Sequence, residues 1–162
     1  MEKEPILNWI SDEDLFLAIK HVFDKVYSDL SETSLHYLKR NKIDPWTMLF
    51  SMKANNISAH EWIENEVVRQ SDKVLSQAVG EFHQIVLGSC EGWINLGVGD
   101  NSSLDLKKTD NAIFAEIKNK YNTMNGDSGT KKFEHMQNVI SEHPDAVVYL
   151  VQIISKSKKD KS

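Results

Sequence analysis

The sequence predicts an α/β fold in which a helical N-terminal region precedes a mixed sheet flanked by helices. Up to Gly88 the apolar residues recur at spacings of three and four, whereas beyond it they alternate or form short β-branched runs. The second half then gives the order helix, strand, strand, strand, helix, strand across residues 72–154. We expect residues 1–70 to form the helical region, 71–155 the core that contains the sheet, and 156–162 a polar tail.

Composition indicates a globular protein with a buried core. The 162 residues are 40% hydrophobic and 27% charged, with 7 Gly and 3 Pro, which excludes a low-complexity or disordered chain. A single cysteine excludes an internal disulfide and a cluster of thiolates on a metal. There is no apolar run long enough for a membrane span, so we expect a cytoplasmic protein. The net charge of -5 argues against a protein that coats nucleic acid by bulk charge.

Four helices are predicted up to Gly88 because a start signal precedes each apolar stripe. Ser11 with Asp14 and Ser58 with Glu61 have the spacing of a capping box, and Pro45 suits a first helical position. The predicted helices cover Ser11–Leu30, a segment from Asp44-Pro45, a segment from Ser58 through Val68, and a segment from Ser71 to Gly88.

The second half is predicted to contain four strands and one helix. The strands are expected at Trp93–Leu96, Leu104–Lys108, Ala112–Lys120 and Ala146–Ile154, and the helix follows a polar loop at 122–130 and ends near Glu142. Asp110 and Asn111 suit a two-residue hairpin turn, which would place Lys107 opposite Phe114. The continuous β-branched run at 146–154 is typical of a central strand buried on both faces.

The same register places two carboxylates opposite each other. It pairs Asp105 with Glu116, with Cβ atoms roughly 5 Å apart. Such carboxylates repel unless a proton or a cation lies between them, and Mg²⁺ favours oxygen ligands of this kind. Lys118 projects from the same face as Glu116, where it would orient or deprotonate a water or neutralise charge on a phosphate. The alternative is a solvated strand face with a weak ion pair.

These residues resemble a known family. Asp105 followed by Glu116-Ile117-Lys118, within this element order, resembles the PD-(D/E)XK nuclease superfamily with its restriction-endonuclease-like core. More narrowly, the run Gly80-Glu81-Phe82-His83-Gln84-Ile85-Val86-Leu87-Gly88 and the run Glu116-Ile117-Lys118-Asn119-Lys120-Tyr121-Asn122-Thr123-Met124-Asn125 resemble type II restriction endonucleases that cut GGNCC-type sites.

The resemblance implies a Mg²⁺-dependent phosphodiesterase that hydrolyses double-stranded DNA, leaves a 5′-phosphate and acts as a homodimer. By position, Asp105 and Glu116 would be metal ligands and Lys118 the catalytic lysine. Glu81 matches a further catalytic acid that would hold a metal-bound water or a second ion, although a helix-surface role is the alternative. Asp100 and Asp110 are alternatives to Asp105 as the first metal ligand. Asp105 is preferred because Asp100 lies in a loop and Asp110 lies at the hairpin tip, too near it to reach Glu116.

Residues after the catalytic strand are candidates for DNA contacts because they carry amides, a hydroxyl and a cation. These are Asn119, Lys120, Asn122, Thr123 and Asn125. Four further lysines are candidates for phosphate neutralisation: Lys107, Lys108, Lys131 and Lys132. Two alternatives stay open, namely a truncated DNA-binding remnant without catalysis and a repair or recombination nuclease of the same fold.

Overall fold

The computed structural model describes residues 5–30, 42–97, 100, 102–123 and 126–156. Its helices are α1 (Asp12–Leu30), α2 (Pro45–Asn55), α3 (Ala59–Gly88) and α4 (Gly126–Glu142). Its strands are β1 (Trp93–Asn95), β2 (Leu106–Lys108), β3 (Ile113–Lys120) and β4 (Val147–Ile154). The predicted α/β class, with a mixed sheet after a helical first part, is confirmed. The predicted tail from residue 157 onward lies outside the described residues.

Three of the four predicted helix starts are confirmed by their caps. The Ser11 hydroxyl accepts a hydrogen bond from the Asp14 N–H at 3.0 Å at the start of α1. The Asp44 carboxylate accepts from the Trp46 N–H at 3.0 Å and caps α2. At α3 the Ser58 N–H donates to the Glu61 carboxylate at 2.8 Å, which completes the capping box.

The predicted break at Ser71 is wrong, because α3 continues for 30 residues from Ala59 to Gly88. No proline interrupts this segment, and serine and aspartate are tolerated inside a helix that is supported by packing. The predicted end at Gly88 is confirmed. A Cβ atom on Gly88 would lie 2.6 Å from the Cβ of Asn95, so glycine is required where the helix end approaches β1.

The sheet has the strand order β1-β2-β3-β4. The first three strands are antiparallel neighbours, and β4 runs parallel to β3. The predicted hairpin register is confirmed because Lys107 pairs with Phe114. Asn111 adopts a positive φ of 57° in the turn, and the Ala112 N–H donates to the Asp110 carboxylate at 2.9 Å. The turn therefore has the positive φ and the side-chain hydrogen bond that are typical of Asn and Asp in tight turns.

The prediction of a central last strand is wrong. Among the described residues, β4 pairs only with β3 and forms an edge of the sheet. Its apolar side chains are largely exposed, with Tyr149 at 52% and Ile154 at 50%. A β-branched run indicates a strand but does not indicate its position in the sheet, which depends on what other segments pack beside it.

Helices cover both faces of the sheet around β3. On one face Phe114 packs with Leu104 and with Val139 of α4. On the other face Ala115 and Ile117 pack with Leu87 near the end of α3. The alternation of side chains along β3 therefore sends successive residues into two separate apolar clusters.

The chain divides into two compact units. The first comprises Met1–Ile19 with Val79–Ser162 and contains the sheet, and the second comprises Lys20–Ala78. The domain boundaries expected from the sequence, 1–70, 71–155 and 156–162, stay a prediction. Within the described residues, no helix combines the length and the apolar character that a membrane crossing requires.

Candidate active site

Glu116 is the buried charged residue at the centre of the candidate site. It lies in the middle of β3 on the same face as Phe114, and it has 0% of its surface exposed. Lys118, two residues further along the strand, donates to its Oε1. The Nζ of Lys132 donates to its Oε2 at 2.9 Å. Both carboxylate oxygens are thus bound by ammonium groups, which offsets the cost of burying the charge.

Asp105 lies directly before β2, whose Leu106 pairs with Ala115 of β3, and its carboxylate reaches the N–H of Ile117, the residue after Glu116. Its backbone continues the pairing, since its N–H donates to the Ala115 carbonyl at 3.1 Å and its carbonyl accepts from the Leu96 N–H at 2.9 Å. Its side chain accepts from the Ile117 N–H at 2.6 Å and from the Gln84 amide at 2.8 Å. The carboxylate is therefore held in one orientation by a strand amide and by a side chain of α3.

The environment of Asp105 disfavours its charged form. Burial raises the pKa of this carboxyl, and the charge of Glu116 adds to the increase. The Ile117 N–H and, more weakly, the ammonium groups of Lys118 and Lys132 act in the opposite direction. A half-buried carboxyl beside a second, fully buried carboxylate is an arrangement that a bound cation would relieve.

The structure adds two residues that sequence reasoning did not assign to the site. Lys132 was expected to neutralise phosphates, but its ammonium binds Glu116 and the Ser103 carbonyl at 2.8 Å. Helical spacing could have indicated that Lys132 faces the sheet, because it lies one turn before Met136 on the face of α4 that packs against the sheet. Gln84 gave no comparable signal, since a glutamine among helical residues indicates no particular role.

Glu81 is half-buried on α3, three residues before Gln84. Within the part of the chain that the structure describes, no three His, Cys, Asp or Glu side chains come together as a metal-binding group. The structure therefore does not unite Glu81 with Asp105 and Glu116 in one such group. The roles of Glu81 as a catalytic acid and as a metal ligand stay predictions.

The two rivals of Asp105 have local structural roles. Asp100 accepts hydrogen bonds from the Ser102 hydroxyl and N–H, and these bonds lower its pKa, the hydroxyl contributing most. Asp110 accepts from the Ala112 N–H in the hairpin turn. Both carboxylates thus stabilise turns, whereas the Asp105 carboxylate binds the Ile117 N–H of β3 and the Gln84 amide of α3.

The candidate DNA contacts lie at the end of β3 and in the turn that follows it. Asn119 is half-buried, whereas Lys120, Asn122 and Thr123 are exposed. The Thr123 hydroxyl donates to the Lys120 carbonyl at 2.8 Å. Asn125 lies outside the described residues. Contact of these residues with DNA stays a prediction.

The donor set of this site fits a hard divalent cation. Asp105 and Glu116 supply carboxylate oxygens, and each of these oxygens has two lone pairs of which the described bonds use only part. Mg²⁺ is commonly bound by one or two carboxylates together with waters and a phosphate. The ammonium groups of Lys118 and Lys132 supply positive charge beside these carboxylates.

Comparisons with known proteins identify a matching family and two relatives. The family model described as Eco47II restriction endonuclease matches residues 7–162. The chain is 37% identical over 155 residues to the type II restriction enzyme Sau96I of Staphylococcus aureus, an alignment that covers 95% of this chain and 59% of that enzyme. It is 35% identical over 156 residues to the type II restriction enzyme Eco47II of Escherichia coli, covering 93% and 63% respectively. No solved structure matches the chain.

Proposed function

The chain belongs to the Eco47II restriction endonuclease family, and from this premise we propose that it is a magnesium-dependent type II restriction endonuclease. The reaction is hydrolysis of phosphodiester bonds in double-stranded DNA at a short specific site of the GGNCC type. We further propose the PD-(D/E)XK arrangement, a homodimer on a palindromic site, and a cytoplasmic location. The observation that carries the proposal is Glu116, a fully buried carboxylate with Lys118 bound to it and with the Asp105 carboxylate bound to the N–H of the next residue, Ile117.

Asp105 and Glu116 would hold the Mg²⁺. When bound, this ion supplies Lewis acidity, which polarises a phosphate oxygen and lowers the pKa of a water. Gln84 and the Ile117 N–H keep Asp105 in a fixed orientation through their bonds at 2.8 and 2.6 Å. Such supporting contacts commonly determine how tightly a ligand set binds its metal.

Lys118 supplies the positive charge nearest to the reacting phosphate in this proposal. Its side chain is 23% exposed, whereas that of its partner Glu116 is at 1%, so solvent and substrate reach its ammonium group. Lys118 donates a hydrogen bond to the attacking water or to a phosphate oxygen and stabilises the negative charge that develops there. Loss of such a donor typically costs about 10² to 10³ in rate.

The test is incubation of the purified chain with a DNA duplex that contains a GGNCC site, in Mg²⁺ or in EDTA. A duplex with a scrambled site controls for sequence specificity. We expect Mg²⁺-dependent cleavage at the site, loss of cleavage in Lys118→Ala, and retention in Lys53→Ala, which removes an exposed lysine of α2. Equal cleavage by Lys118→Ala and the unmodified chain would contradict the proposal.

A second candidate function is DNA binding without cleavage. It is favoured by one observation, namely that both oxygens of Glu116 are bound by lysine ammonium groups. The chain spans about 60% of the length of the relatives it matches, 59% and 63% respectively. Binding of the GGNCC duplex in Mg²⁺ without cleavage, by a folded protein, would support this candidate over the first.

A further inference from the structure

Lys132 makes a contact that the proposed reaction does not use. Its Nζ lies 2.9 Å from Oε2 of Glu116 and 2.8 Å from the Ser103 carbonyl oxygen. The Lys132 side chain is 28% exposed, whereas that of Glu116 is only 1% exposed. Lys132 is therefore able to turn toward water, while Glu116 is confined to the interior.

Both oxygens of Glu116 are already bound by cationic groups. Lys118 binds Oε1, and Lys132 binds Oε2. Two ammonium groups and a divalent cation around one carboxylate would repel one another strongly in surroundings of low dielectric. A metal ion that uses Glu116 therefore has to compete with at least one of these lysines.

We propose that Lys132 is an internal counter-ion of the metal site, which holds Oε2 of Glu116 in the metal-free protein and leaves it when a divalent cation binds. The inference rests on the proposed function, because it takes Glu116 as a metal ligand. Lys132 is in this respect a positioning residue, since it acts on metal binding through Glu116. The lysine stabilises the buried carboxylate before the metal arrives and sets the metal concentration at which the site fills.

Lys132 is better suited to leave than Lys118. Lys118 belongs to the same strand as Glu116 and is only two residues away, so its ammonium group stays near the carboxylate. Lys132 comes from α4 and has a second acceptor in the Ser103 carbonyl. Its ammonium group therefore keeps a hydrogen bond after it releases Oε2, which lowers the cost of its departure.

The experiment measures Mn²⁺ binding to the chain by electron paramagnetic resonance without DNA, so that its result does not depend on cleavage. We expect Lys132→Met to bind Mn²⁺ roughly 10- to 100-fold more tightly than the unmodified chain, as expected when a charged hydrogen bond no longer competes. Lys131→Met removes an exposed lysine from the same turn of α4 and should change the affinity less than about threefold. Lys132→Arg, which keeps the charge, should restore the weaker binding.

Two further variants separate this inference from the proposed function. Asp105→Asn removes the second ligand and should weaken Mn²⁺ binding in every background. Lys132→Gln keeps a hydrogen-bond donor for Glu116 and serves if Lys132→Met does not fold, again with tighter Mn²⁺ binding than the unmodified chain.

Equal Mn²⁺ affinities of Lys132→Met, Lys132→Gln and the unmodified chain, all weakened by Asp105→Asn, would overturn the counter-ion role and leave the proposed metal site intact. Absence of Mn²⁺ binding to all folded variants would overturn both. Tighter binding in Lys132→Met that is insensitive to Asp105→Asn would also overturn the inference, because the ion would then lie elsewhere.

Discussion

Replacing Lys132 and replacing Glu116 should have unequal effects on the stability of the metal-free protein. Glu116 has 0% of its surface exposed, whereas the side chains of Lys118 and Lys132 are 23% and 28% exposed. Lys132→Met leaves a buried carboxylate with one ammonium partner instead of two. Glu116→Gln leaves two lysines whose long side chains reach water. Lys132→Met therefore removes a partner from the Glu116 carboxylate, which water cannot reach, whereas Glu116→Gln frees lysines that water can reach.

The expected losses of unfolding free energy follow from these contacts. Removing one partner of a fully buried ion pair costs about 3–5 kcal/mol, and a hydrogen bond to a charged group contributes about 1.5–3 kcal/mol. Because Lys118 stays bound to Oε1, we expect Lys132→Met to lower the free energy of unfolding by about 2 kcal/mol. That corresponds to a decrease of roughly 4–8 °C in Tm for a chain of this length. Glu116→Gln should cost about 1 kcal/mol or less, because the freed lysines become solvated.

The assay is thermal unfolding in EDTA, followed by circular dichroism, with hydrogen exchange of the β3 amides to locate the change in the sheet-containing unit. Lys131→Met is the matched control, since this lysine is exposed on the same turn of α4, and it should leave Tm nearly unchanged. A Lys132→Met variant as stable as Lys131→Met would refute the reasoning. So would a Glu116→Gln variant less stable than Lys132→Met.

Three further predictions concern the surroundings of the site and the second unit. Gln84→Leu should weaken Mn²⁺ binding roughly 10-fold, because Asp105 loses the donor that orients it; calorimetric titration checks this, and an unchanged affinity would count against it. Val139→Ala should lower the free energy of unfolding by about 2 kcal/mol in urea titrations, because Val139 is 2% exposed. Arg69 hydrogen-bonds Glu66 and lowers the pKa of that carboxyl from its usual 4.5, so the pair stabilises the fold above pH 4.5 and the contribution is lost as pH falls through the lowered pKa. Arg69→Leu should therefore lower the free energy of unfolding by about 1 kcal/mol or less at pH 7, since Arg69 is largely exposed. The difference in unfolding free energy between this variant and the unmodified chain should narrow below pH 4.5. A difference that stays constant with pH would contradict the prediction.

Local chemistry made the hairpin predictable from the sequence. Asp110 and Asn111 indicated the turn, and the turn fixed the register that pairs Lys107 with Phe114. The prediction that pairs Asp105 with Glu116 extends this register by one residue, and in the structure the Asp105 carboxylate binds the N–H of Ile117, the residue after Glu116. Helix starts at Ser11 and at other caps were predictable for the same reason, because a capping residue and its partner lie within one turn.

Features that depend on distant segments were not predictable in this way. The break expected at Ser71 is absent because a serine has no strong preference that packing cannot override. The edge position of β4 depends on which segments pair beside it, which the strand's own residues do not encode. Lys132 reaches Glu116 only because α4 packs over β3, and Gln84 reaches Asp105 across 21 residues of sequence. The carboxylates and Lys118 lie on one hairpin, whereas their supporting residues come from separate helices.

DNA cleavage by Glu116→Gln, compared with the unmodified chain, tests the central claim most directly. The substitution keeps the size of the side chain and removes the buried charge that is proposed to bind the metal. With a duplex that contains a GGNCC site and with Mg²⁺ present, we predict site-specific cleavage by the unmodified chain and a loss of at least about 10²-fold in Glu116→Gln. Cleavage at an equal rate by a folded Glu116→Gln variant would contradict the assignment of this site.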